Sequence, residues 1–210
     1  MKQRVAALAL SLWAAGVLLT DWTAAAQQKF SIKPVAEVKI RQLPVGPLYW
    51  QVENFPTLAE AQAAAGPTSI AAEAAGKVWL FSLGGKGDPS RGGTKVVEIG
   101  PVPPVAAPEF LLRINHASGP PGAKTSVHTH PGTEAFYVLS GQLGQKTSHG
   151  VSQVGAGQFM PGHGPDTPME VFSSGTGGLN EGGAIGDDLR ARDESAESSP
   201  ERRDRGEGEL

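Results

Sequence analysis

Between Gly122 and Ser173 the chain is a succession of short segments with strand character, each ended by a glycine turn. Segments this short must pair with one another to satisfy their backbones, so they predict an antiparallel sandwich or barrel. The preceding half reads the same way. Leu48 to Phe55 (LYWQVENF), Lys77 to Leu83 (KVWLFSL) and Glu109 to Asn115 (EFLLRIN) carry the aromatic and β-branched residues of strands. Ser69 to Ala74 and Lys95 to Ile99 are further strand candidates, and Pro101 to Pro108 is a stiff connector. One short helix is expected over TLAEAQAAA, with Thr57 as its cap, Glu60 as the reciprocal partner and Gly66-Pro67 as its stop. The 28 glycines and 17 prolines favour turns over a helical bundle, so the fold class is all-β.

The two ends differ from this middle. Residues 1–26 read as a secretory signal: Lys2 and Arg4, an apolar run from Val5 to Leu19, then Ala24-Ala25-Ala26 as a cleavage pattern. The run is shorter than the ~20 apolar residues of a spanning helix, so no membrane association is expected after cleavage. The mature chain would be secreted or periplasmic. Residues 27 to about 45 are polar and mixed and read as a lead-in arm. They begin an N-terminal extension, 27–108, whose strands and helix pack on the domain that follows. Residues 180–210 hold ten acidic residues against five arginines, and only Ile185, Leu189 and Leu210 are large and apolar. Such a segment buries too little surface to offset its ordering entropy, which predicts a disordered acidic tail.

Composition excludes several chemistries. The chain has no cysteine, which rules out disulfides, thiolate zinc sites, iron–sulfur clusters and cysteine nucleophiles. Any metal must sit on nitrogen and oxygen donors. The net charge is −3 and no basic run carries interleaved aromatics, so a nucleic-acid partner is not expected. The glycines of Gly84 to Gly93 fit neither a P-loop nor a dinucleotide fingerprint.

The chemistry concentrates in GAKTSVHTHPGTEAFYVLSG, Gly122 to Gly141. On a strand, His128 and His130 point the same way and Thr129 the other. Pro131-Gly132 turns the chain, and Glu134 on the return strand can come back over the same face. Two imidazoles and a carboxylate converging from a hairpin form a facial metal triad with positions left open for water or substrate. Further along, GAGQFMP supplies Gly155 and Pro161, followed by PGHGPDTPMEV. His116 and His149 read as solvent-facing or locally bonded. Phe136, Phe159 and Met160 read as pocket or core, and Gln142 and Gln158 as surface or as orienters of a metal-bound water.

The pattern G-x5-H-x-H-x3-E-x6-G, filled at Gly122, His128, His130, Glu134 and Gly141, is the first motif of the cupin superfamily. The second, G-x5-P-x-G-x2-H, is half present: His163 stands where glycine is expected and Asp166 where histidine is expected. The fourth ligand that this motif implies is open: Asp166 directly, His163 brought inward by a shifted loop, or neither, with more water on a three-ligand site. Residues 109–173 therefore resemble small, exported, single-domain cupins of the type-2 kind. The resemblance implies a jelly-roll β-barrel, with 109–179 as its core, one divalent metal ion inside, and a homodimer as a further possibility. It also implies an apolar strand closing the barrel after Pro168 to Ser173; the charged tail stands in its place, so a sheet edge is expected to be left open. A two-histidine, one-carboxylate facial triad with open positions suits Fe, and an added Asp oxygen is compatible with Fe or Mn, so these are expected ahead of Zn, Ni or Cu. The expected function is a metal-dependent, dioxygenase-like oxidoreductase acting on a small organic molecule. The alternative is a non-catalytic module that binds a metal or small ligand, since the fold does not choose between them.

Overall fold

A computed structural model of the chain describes residues 30–174 and the backbone of one later strand. In chain order the elements are β1 (Ser31–Ile40), β2 (Leu48–Phe55), α1 (Leu58–Ala64), β3 (Ser69–Ala74), β4 (Lys77–Gly84), β5 (Thr94–Val102), β6 (Phe110–Gly119), β7 (Gly132–Val138), β8 (Gln142–Thr147), β9 (Gly150–Gly155), β10 (Phe159–Met160), β11 (Met169–Ser174) and β12 (Leu179–Ala191). The all-β expectation holds. The helix is capped as expected, Glu60 N donating to Thr57 Oγ1 at 3.2 Å. Among the described residues no helix is long and apolar enough to cross a membrane. The signal segment 1–26 lies outside the described residues.

The strands form three sheets, ordered β3-β4-β2-β5, β1-β6-β12-β7-β10 and β11-β8-β9. The five-stranded sheet is the shared middle layer. One face packs on the β3-β4-β2-β5 sheet, burying Trp50, Trp79 and Phe81 against Phe110, Leu112, Ile114 and Ala135. The other encloses Phe136, Val138, Leu143, Met160, Met169 and Val171. Side chains alternate along β7 accordingly: Ala135 joins the first core, Phe136 and Val138 the second. Trp79 stacks on Phe81 at 6.3 Å and meets the edge of Tyr137, on β7, at 6.4 Å. Full burial of a side chain such as Phe81 contributes about 1.5–3 kcal/mol. The N-terminal sheet thus holds β7 from behind.

The outer face of the β3-β4-β2-β5 sheet shows why the Gly84 to Gly93 loop cannot cradle phosphate. Its amides are turned onto the protein's own carboxylates. Gly85 N donates to Asp88 Oδ2, Gly87 N to Glu98 Oε2 and Arg91 N to Glu53 Oε2, each at 2.9 Å. The Gln51 side-chain hydrogen bond, then the Gly87 amide, hold the Glu98 carboxyl below its ordinary range. Lys95 and Lys86 add attraction, and burial opposes.

Two expectations are corrected. The presumed lead-in arm contains β1, paired antiparallel with β6 from Ser31↔Ser118 to Ile40↔Phe110. Pro34 is tolerated because β1 is an edge strand, and the register slips beside it, between Pro34 and Ala36. The expected tail, disordered from residue 180 and leaving an open edge, instead begins with β12. This strand lies between β6 and β7, paired antiparallel with both, as in Asp188↔Arg113 and Asp188↔Glu134. With partners on both sides, backbone hydrogen bonds order a segment whose apolar content alone would not. Residues 192–210 lie outside the described residues.

Candidate metal centre

Glu134 is the third residue of β7, and its side chain shares the inner face with Phe136 and Val138. It is 6% exposed, which demands a partner for a carboxylate. That partner is His130, whose Nε2 lies 3.2 Å from Glu134 Oε2. His130 itself precedes β7, and its carbonyl accepts a hydrogen bond from Asp166 N at 2.8 Å. His128 sits in an isolated bridge to Met169, with reciprocal backbone hydrogen bonds of 3.0 and 2.9 Å. The expected continuous strand through both histidines is reduced to two bridges, Lys124↔Phe172 and His128↔Met169. The rings are nonetheless neighbours, 4.9 Å apart and nearly perpendicular.

The motif glycines are explained by backbone geometry. Gly122 (φ +78°) and Gly141 (φ +72°) occupy the left-handed region that L side chains avoid. A third glycine, which lies outside the motif positions filled by glycine, is more tightly held. A Cβ on Gly162 would fall on the Glu134 carbonyl oxygen, so this loop lies directly against the backbone of the candidate ligand. The only cue in the sequence is the dense Pro-Gly-His-Gly-Pro run.

The proposed fourth ligands do not join the group. Asp166 is exposed at a left-handed turn (φ 58°), a conformation Asp tolerates, and it reaches His130 through its backbone amide. His163 faces His149, the rings stacked at 6.5 Å. Burial first, then the charge of His149, lowers the His163 pKa below the usual histidine range. His116, on β6, has a buried Nε2 without a hydrogen-bond partner among the described residues. Phe136 and Met160 are core, Phe159 and Gln142 are exposed, and Gln158 Oε1 accepts from Gly155 N at 2.8 Å.

Whether these residues suit a metal ion divides in two. His130 and Glu134 fit: donors each ~2.1 Å from one ion and at right angles stand ~3.0 Å apart. His128 fits in kind. Its Nδ1 lies 2.8 Å from the Ser126 carbonyl, which can only accept a hydrogen bond; this favours the tautomer with the proton on Nδ1 and the lone pair on Nε2. The triad is not closed, however: among the described residues no three His, Asp or Glu side chains converge closely enough to hold an ion. His128 is turned to its local carbonyl, on a segment without continuous strand pairing.

No protein-family model matches the chain, and no curated protein matches it. Among solved structures it is similar to a cupin domain from Bordetella pertussis Tohama I, at 19% identity and a TM-score of 0.31, covering 38% of this chain and 82% of that one. It is also similar to a cupin 2 conserved barrel domain protein from Leptotrichia buccalis, at 12% identity and a TM-score of 0.29, covering 80% and 91% respectively.

Proposed function

We propose that the chain is an exported cupin-type protein that holds one divalent ion, Fe or Mn, on His128, His130 and Glu134. The ion would serve the oxidation of a small organic molecule. The observation that carries this reading is the pair at 3.2 Å, His130 Nε2 and the buried Glu134 carboxylate, with the His128 ring adjacent. Metal bound there supplies Lewis acidity and open coordination positions. The chain's own part is to bury Glu134, to hold the His128 ring through the Ser126 carbonyl with the Nε2 lone pair available, and to hold the Gly162 loop against the site.

A second reading has its own support. The unclosed triad favours a non-catalytic binding module in which His130 and Glu134 form a local pair. Metal analysis of the purified mature protein, beside a His128→Ala/His130→Ala double variant, separates the two. Wild-type protein should carry near-stoichiometric Fe or Mn and the double variant almost none, with unchanged circular dichroism. Equal metal content in both removes the metal reading. Oxygen uptake with a panel of small enols and phenols then tests the oxidase chemistry.

A further inference from the structure

The connectors between β1 and β2 and between β5 and β6 do more than link strands. With the adjoining strand ends they wall a cavity of about 640 Å³. Five of its lining residues are prolines, Pro103 among them, and Leu43, Val105 and Phe110 supply much of the rest. Among the described residues none that lines it is charged. We infer that this cavity is a binding site for an uncharged, hydrocarbon-rich small molecule.

Three features select that class. The volume lies within the ~300–1,000 Å³ of small-molecule sites. Proline has no N–H, so much of the wall offers no backbone donor, and an ion entering it would lose hydration without replacement. Proline also fixes φ, so the walls stand preformed and little ordering entropy opposes binding. A second copy of the chain is a poorer occupant. The exposed large apolar residues among those described, Ile32, Val45, Val127, Val151 and Phe159, lie on five different segments and form no single knob to fill a concave site.

The site is separate from the histidines yet close to their loop. A side chain on Gly164 would meet Pro103 Cβ at 3.6 Å, and Gly164 is two residues from the Gly162 that lies on Glu134. The inference does not depend on metal binding, because no lining residue is a candidate ligand.

The test is a titration of the full mature protein with N-phenyl-1-naphthylamine, an uncharged dye that brightens in apolar surroundings. Wild-type protein should bind one dye per chain, saturably. Leu43→Asp and Val105→Asp, on opposite connectors, should each weaken binding by about tenfold or more, through burial of an unpaired carboxylate. Val151→Asp, on β9, should leave it unchanged. Octanol should displace the dye from wild-type protein at concentrations where octanoate does not, and this arm holds even if a variant fails to fold. No saturable binding to wild type, or equal displacement by alcohol and carboxylate, overturns the proposal. A stoichiometry of one dye per two chains that rises with protein concentration also overturns it, in favour of a second copy at this face.

Discussion

Replacing Gly162 by alanine adds one methyl group where the structure leaves no room. The new Cβ would fall on the Glu134 carbonyl oxygen and stand 3.2 Å from Glu134 Cα. Both are backbone atoms of a strand paired on each side, so neither can swing aside as a side-chain end would. Gly162 is not among the glycines with left-handed φ, so the cost is steric alone. Overpacking of this kind costs about 1–3 kcal/mol, and stiffening the unfolded chain returns about 0.4–1. The net destabilisation is about 1–2 kcal/mol, which lowers Tm by roughly 2–8 °C for a chain of this size. Gly164→Ala is the internal control. Its Cβ would make an ordinary 3.6 Å contact with Pro103, so its Tm should hold or rise slightly. Thermal unfolding followed by circular dichroism reads both. Metal content measured on the same samples should fall for Gly162→Ala, since the displaced backbone carries the Glu134 carboxylate. Equal Tm values for the two variants, or a larger loss at Gly164, would show that the loop does not rest on Glu134.

Other outcomes follow from the same geometry. The folded-state pKa of Glu98 is depressed, so its stabilisation is present above the ordinary carboxylate pKa and fades as pH falls through the lower folded value; urea midpoints of wild type should drop over that window more than those of Glu98→Gln, and parallel curves would refute the linkage. Truncation after residue 178 removes β12 and bares the facing edges of β6 and β7, so size-exclusion chromatography should show aggregation that truncation after residue 191 does not cause; a monomeric short form with unchanged Tm contradicts the mid-sheet placement. Thr57→Ala deletes the cap of α1 and should cost about 1 kcal/mol while Thr57→Ser costs little, as read by denaturant unfolding.

Legibility in the sequence followed the number of independent signals at each segment. Leu48–Phe55 stands where its composition puts it, because strand propensity and flanking breakers agree there, whereas Ser69–Ala74 is a strand although its alanines would equally suit a helix. β1 is hard to read locally although Ile32, Ala36, Val38 and Ile40 alternate with charged residues; Pro34 interrupts the pattern, and an edge strand tolerates what a central one would not. β12 has no such pattern, and its order comes from long-range edges that local reading does not see. At the site, the rings of His128 and His130 are neighbours as expected, although the continuous strand from which this was expected is reduced to isolated bridges. The closing of the triad and the fourth ligand depend on loop paths, through Ser126 and through Pro161 to Asp166, that side-chain spacing does not encode.

The place of β12 also sets an order of assembly. The β3-β4-β2-β5 sheet pairs segments close in sequence and can form early, whereas the slot between β6 and β7 stays empty until residues 179–191 have left the ribosome. The strand that carries Glu134 is therefore completed last. Until then the nascent chain presents two unsatisfied edges, and a holdase that keeps it extended would protect it at that stage.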